Sequence, residues 1–240
     1  MKLTNERYMA LAEMYLMDGL GRKVSGLIHN LNNYIHVVDM QMAMLVAKAG
    51  SSGDQPLAAF ESKLSKSAKG MSRIVKALQN NGQCSFYAQK DPAQINIADF
   101  LEWLMQFWEN DLFFKHKVSC ELNVKEVSLN LLVSPFHLTV CLEQGIRNVL
   151  EAYQEIDDPD RNRLLISVDV LDENVNIEIL SFTGIPDLNP WEEGSSSKPG
   201  HLGMGLPVAA FVAKDMGCTI DLHGDGEKTV YSVLIPRNRQ

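Results

Sequence analysis

The chain has 240 residues, 45% of them apolar, and a formal net charge of -8, which is enough for one large domain or two modest ones built on a buried core. The acidic balance and the absence of a Lys/Arg run exclude nucleic acid as the main partner. No uninterrupted apolar run approaches the length of a membrane span, and the opening MKLTNERYMALAEM is amphipathic, unlike a signal peptide. The expected location is cytoplasmic. Cys84, Cys120, Cys141 and Cys218 are scattered without CxxC spacing, which fits neither a zinc site nor a disulfide framework. They read as reduced and structural.

The first segment, from about Asn5 to Ala49, reads as one long helix. Val24, Leu31, Val38 and Leu45 repeat every seven residues, with Leu27 and Tyr34 on the companion position. His29 then falls on the opposite side and faces water, on the same stripe as Arg22 and His36, with Asn33 one turn further on. Gly19, Gly21 and Gly26 each cost about 1 kcal/mol against alanine inside a helix, so a bend or break is expected just before His29. GSSGDQP ends the helix, with Asp54 placed to cap the next one.

The second helix is expected from about Pro56 to Asn80, with Leu57, Leu64, Met71 and Leu78 spaced by seven and Phe60 and Ile74 beside them. Two such patterns joined by a short turn make an antiparallel hairpin. One hairpin cannot bury both apolar seams, so a homodimeric four-helix bundle is expected. The alternative is a hairpin packed on its own C-terminal domain.

The period is lost over about residues 80 to 94, and the expected division is residues 1-84 and residues 92-240. Beyond it come a short strand INI, the helix ADFLEWLMQFWENDLF, the strand VSCELNV, and the helix PFHLTVCLEQGIRNVLEAYQEI. A strand hairpin, LLISVDVL and VNIEILSF, turns at Asp172 to Asn174. A Gly/Ser/Pro-rich loop, the helix LPVAAFVAKDMG and the strands CTIDLHG and TVYSVLIP complete the chain. This alternation indicates an α+β sandwich with helices on one face of a sheet.

Three motifs stand in a fixed order. HNLNN at His29 resembles the HELNN-type phosphoacceptor box of two-component sensor histidine kinases. LEQGIRNVLEAYQEI resembles the N box of their ATPase domain, with Asn148 followed by Glu151-Ala152. GHLGMGLPVAAFVAKDMGCTIDL resembles their glycine-rich phosphate loop and the helix after it, and Lys198 in SSSKPG matches the end of the nucleotide lid.

The resemblance implies a dimeric helical hairpin followed by an ATPase-type α/β sandwich. It further implies phosphorylation of His29, a neighbour that orients the ring (here Asn30), and a polar residue that assists removal of phosphate (here Asn33). For ATP and magnesium it implies metal binding by Asn148, assistance from Gln144, and phosphate contacts from Lys198 and from the backbone at Gly200, Gly203 and Gly205. The implied partners are a response regulator receiver domain, a second copy of the chain, and a separate sensor or upstream kinase.

The chain departs from the family wording in two places. The aspartate that accepts a hydrogen bond from the adenine amino group is replaced, depending on alignment, by Leu180, Ser181 or Phe182. Losing such a charged bond costs a few kcal/mol, or two to three orders of magnitude in affinity. Asn30 stands where an acidic residue would stabilise the imidazolium. Both departures weaken ATP use and spare His29 and Asn33. Histidine phosphotransfer with a degenerate ATP site is therefore the expected function. The alternatives are an ATP-dependent autokinase and a non-enzymatic module that binds a regulator.

Overall fold

The computed structural model describes residues 3–51, 57–156, 158–185, 187–198 and 200–237. Asp54 and Pro56, the expected cap and start of the second helix, lie outside them, as does Pro186.

The expected first helix is α1 (Asn5–Ser51), which runs unbroken through its glycines. The reason is packing. A Cβ on Gly26 would stand 1.8 Å from the carbonyl oxygen of Asn110, and one on Gly19 would stand 2.7 Å from Glu143 Oε1. These glycines allow the helix to lie against the rest of the chain, and the lost propensity is offset by that contact.

A 3-10 turn (Leu57–Phe60) leads into α2 (Glu61–Gly82), which returns antiparallel to α1. Gly70 admits Val38 Cγ2 and the Tyr34 carbonyl between the helices. Tyr34 and Val38 of α1 meet α2, with buried Gln41 and half-buried Leu45 on the same stripe, whereas Val24, Ile28, Ile35 and Met42 are exposed, as are Leu64, Met71, Val75 and Leu78 on α2. The hairpin therefore spends one face internally and leaves a second, apolar heptad stripe uncovered.

After α3 (Cys84–Tyr87) and β1 (Ala93–Asn96) comes α4 (Ile97–Trp108), whose first turn is capped by the Asn96 side chain accepting from the Asp99 N–H at 3.0 Å. Asp111 caps α5 (Leu112–Lys117) in the same way, accepting from Phe114 N–H at 2.8 Å. The rest of the order is β2 (Ser119–Val124), β3 (Asn130–Val133), α6 (Pro135–Ile156), β4 (Arg163–Leu171), β5 (Asn174–Ser181), α7 (Gly205–Asp215), β6 (Thr219–Gly224) and β7 (Thr229–Pro236). Sequence periodicity missed α3, α5 and β3, all too short to show a period.

Five strands form one sheet in the order β2-β4-β5-β7-β6, with β2 and β4 parallel and the other pairs antiparallel; β1 and β3 form a separate antiparallel pair. The β4–β5 hairpin turns through Asp172 at φ 50, where a short polar side chain tolerates the left-handed region. Inward residues Ile166, Val175, Ile177, Ile179 and Val233 meet α4, α6 and α7 in a continuous core. Ala12 and Leu16 of α1 belong to that same core, so the first helix serves both the hairpin and the sandwich. Among the described residues no helix is long and apolar enough to cross a membrane.

Candidate functional site

The structure presents two places for chemistry, and α1 joins them. The first is His29. Its ring is exposed, and Asn33 Nδ2 lies 3.2 Å from Nε2, as the one-turn spacing requires. If the amide donates there, Nδ1 carries the proton and Nε2 keeps a nucleophilic lone pair.

Asn30 is placed differently from the orienting role that the resemblance implies. It is buried, its Nδ2 donates to the Glu109 carbonyl and to Asn110 Oδ1 at 3.2 Å, and its Oδ1 accepts from Lys115. Its hydrogen bonds go to the α4–α5 turn, beside the close approach at Gly26.

Below His29, α1 is fastened to α6 by buried charges that sequence reading did not find. Lys23 Nζ lies 3.5 Å from Glu143 Oε1 with both side chains almost fully buried, and it sits over the Trp108 ring at 3.5 Å from the centroid. Arg147 bridges Glu143 at 2.9 Å and Asp18 at 2.6 Å. Burial holds the Lys23 ammonium below its usual range against the opposing pull of Glu143. Burial also pushes Arg147 down, but the Glu143 carboxylate outweighs it and the guanidinium ends above its usual value. For Asp18 burial pushes up, and the hydrogen bonds from Arg22 and Arg147 win and lower it. A signal did exist in the sequence. Gly19, Lys23, Gly26 and Asn30 recur at helical spacing on one face, an inward face carrying small and polar residues where a simple bundle would carry leucines.

The second place is a cavity of about 540 Å³ between α6, the end of β5, the loop before α7, and α1. It gathers all the residues of the sequence-predicted nucleotide set: Asn148, Gln144, Lys198, Gly200, Gly203 and Gly205. Tyr15, Asp18 and Arg22 of α1 complete the wall. Gly203 is required by backbone geometry, at φ 61 with a Cβ that would stand 2.5 Å from the Ser195 carbonyl oxygen. Gly205 opens α7 against Gln144 Oε1, 2.7 Å from where its Cβ would be.

The polar groups of the cavity are largely occupied. Lys198 Nζ donates to Glu151 Oε2 at 2.8 Å and to the Asn148 carbonyl at 3.3 Å, so this loop cation is paired with the Glu151 carboxylate. Gln144 donates to Glu143 Oε2 at 3.1 Å. Asn148 Nδ2 is a buried donor with no protein partner.

At the end of β5 the structure decides between the three candidate positions. Ser181 is fully buried and lines the cavity, whereas Leu180 faces the other side of the sheet and Phe182 lies against Arg163 and Lys228. Ser181 Oγ shares a 3.0 Å hydrogen bond with Thr183 Oγ1, and Thr229 Oγ1 donates to the Thr183 carbonyl at 2.7 Å. A cluster of mutually hydrogen-bonded hydroxyls lies at the end of β5.

No protein-family model matches the chain, and no curated protein matches it. Solved structures do. The full-length histidine kinase ShkA in complex with AMPPNP is similar over 99% of this chain and 47% of its own, at 12% identity and a TM-score of 0.54. The catalytic domain of histidine kinase ThkA, in a nucleotide-free form, is similar over 62% of this chain and 99% of its own, at 14% identity and a TM-score of 0.53. The mycobacterial sensor histidine kinase MprB is similar over 62% and 99%, at 14% identity and a TM-score of 0.50. Likeness at this level of identity speaks for architecture, and the chain has the fold of the histidine kinase catalytic domains.

Proposed function

We propose that the chain is a histidine phosphotransfer protein of two-component signalling, in which His29 takes a phosphoryl group from, or returns it to, an aspartate of a response regulator receiver domain. The observation that carries this reading is the pairing of an exposed His29 with Asn33 at 3.2 Å. In the forward step the Nε2 lone pair attacks phosphorus, the P–O bond to the aspartyl carboxylate breaks as the N–P bond forms, and the carboxylate leaves with the electron pair. Asn33 gives up its bond to the ring and turns its amide toward a phosphoryl oxygen or a water.

A nucleotide fits the second site poorly. Ser181 supplies no carboxylate for an adenine amino group, and the Lys198 charge is already neutralised by Glu151. Asn148, which lines the cavity, would be the magnesium ligand. The sandwich then acts as a rigid wall for α1. A second reading, ATP-dependent autophosphorylation, rests on the nucleotide-sized cavity and the unpartnered Asn148 donor. We further assign the uncovered apolar stripe of α1 and α2 to a homodimeric four-helix bundle, with the division near residues 84 to 92 separating hairpin from sandwich and the signal arriving through a separate sensor or kinase.

The test is labelling from phosphorylated receiver domains. Wild type and His36→Ala take the label and His29→Ala does not, while Asn33→Ala is labelled but loses phosphatase action. Label retained by His29→Ala refutes the assignment of the site. Titration with ATP and magnesium separates the two readings: a dissociation constant in the low micromolar range transfers the case to the autokinase.

A further inference from the structure

The charges around the cavity beside α6 cancel one another. Arg22, Arg147 and Lys198 line it, and each is paired with a carboxylate. Arg22 lies 2.9 Å from Asp18, Arg147 lies 2.6 Å from Asp18 and 2.9 Å from Glu143, and Lys198 lies 2.8 Å from Glu151. His201 lies 3.6 Å from the same Glu151 oxygen, and Glu155 adds a further acid to the lining. The wall therefore has no surplus positive charge. A phosphate group entering it must draw a cation away from its carboxylate, and a charge-assisted bond lost in that exchange costs about ten- to hundredfold in affinity.

What the wall does offer is apolar surface and uncharged polar groups. Val149, Ile156, Ile179, Leu188 and Leu206 line the cavity, as do the hydroxyl residues Ser181, Thr183 and Thr229. The hydroxyls bond to one another and to backbone, and they keep unused lone pairs for the N–H or O–H groups of a ligand. Asn148 Nδ2 is a buried donor with no protein partner, and such a donor costs stability until something accepts from it. Beside it, the charge of Lys198 is already taken by Glu151 while Lys198 also donates to the Asn148 carbonyl. The acceptor that Nδ2 calls for is therefore uncharged, a carbonyl oxygen. The volume of about 540 Å³ lies in the range of small-molecule sites, which pair apolar walls with a few placed polar groups in this way.

We propose that this cavity is a binding site for an uncharged, carbonyl-bearing ring compound of nucleoside size, taken up without phosphate groups and without magnesium. The carbonyl accepts from Asn148 Nδ2, the ring lies against the apolar side chains, and the ligand's own donors meet the hydroxyls at the end of β5. The assignment stands apart from the phosphotransfer reading, because no part of it involves His29. It does involve the helix that carries His29: Tyr15, Asp18 and Arg22 of α1 form part of the wall, so a bound molecule is held between α1 and the sandwich and stabilises their contact.

The experiment titrates the full chain with inosine and uridine, which carry a carbonyl on the ring, with adenosine, which does not, and with ATP and magnesium, read by calorimetry and melting temperature. At least one of inosine and uridine should bind with a dissociation constant below about 1 mM and raise Tm by about 2 °C or more at about 5 mM. Adenosine, which leaves the Asn148 donor open, and ATP should each bind about tenfold more weakly than that nucleoside, with no gain from magnesium. Asn148→Ala should lose about tenfold in affinity for it. Glu151→Gln leaves Lys198 unpaired and should bind ATP about tenfold more tightly than wild type does, with nucleoside affinity unchanged; this variant decides the charge argument even where Asn148→Ala fails to fold. Neither inosine nor uridine binding below about 1 mM overturns the site. Adenosine bound as well as the carbonyl compounds overturns the recognition by Asn148, and ATP bound more tightly than either of them, or ATP affinity unchanged in Glu151→Gln, overturns the exclusion of phosphate. Labelling of His29 is measured separately, so failure here and failure of the phosphotransfer reading are distinguishable.

Discussion

Glu143→Gln should be among the most destabilising conservative substitutions in the chain. The carboxylate is almost fully buried, 3.5 Å from Lys23 Nζ and 2.9 Å from Arg147. At an effective dielectric of about 20, one pair at that separation is worth about 5 kcal/mol before desolvation. Removing one partner of a buried pair costs about 3–5 kcal/mol, because the remaining charge stays buried without compensation. Arg147 keeps Asp18 at 2.6 Å, so the stranded charge is Lys23, and a loss of about 3 kcal/mol is expected. In a chain of this size that lowers Tm by about 6–12 °C, measured by calorimetry and by urea unfolding. Lys23→Met should cost far less, about 1 kcal/mol, since Glu143 retains Arg147, and the double variant should recover most of the Glu143→Gln loss.

The pH dependence carries a definite sign. Burial lowers the Lys23 pKa in the folded state below its usual 10.5, so between the two values the unfolded chain binds more protons and stability rises with pH. Glu143→Gln removes the opposing carboxylate and lowers that pKa further, extending the window downward. The deficit of the variant should therefore shrink as pH rises toward the usual lysine value. A Tm change under about 2 °C, or a deficit that grows with pH, would refute the account of α1 as fastened by buried charge.

Gly26→Ala places a Cβ 1.8 Å from a backbone oxygen of the α4–α5 turn, a contact no rotamer relieves; it should cost at least about 2 kcal/mol in urea unfolding, and neutral behaviour would mean that α1 does not lie there. Ile35→Lys/Met71→Lys puts charges on the exposed apolar stripe without touching the internal seam. Light scattering should show monomers with unchanged circular dichroism, and dimers persisting in that variant would place the interface elsewhere.

Sequence alone determined most of the element order, because its signals were long-range and periodic: seven-residue repeats in α1 and α2, alternation in β4 and β5, and the glycines before α7. It also isolated His29 and Asn33, since helical spacing fixes neighbours without any tertiary contact. What tertiary structure decided were the matters that depend on a partner far away in the chain. Gly19 and Gly26 looked like points of weakness because propensity counts only local cost, and they proved to be places where Glu143 and Asn110 approach the helix. Asn30 stood beside His29 in sequence and in space serves the α4–α5 turn. Three positions competed for one place at the end of β5 until the pleat put Ser181 inward and Leu180 outward. Lys198 matches a lid residue by its place in SSSKPG, and only the fold brings Glu151 of α6 against it. A sequence prescribes which groups each element carries on each face. Which of those groups are neutralised, buried or left open is decided only when another element is packed against that face, and function depends on the groups that remain open.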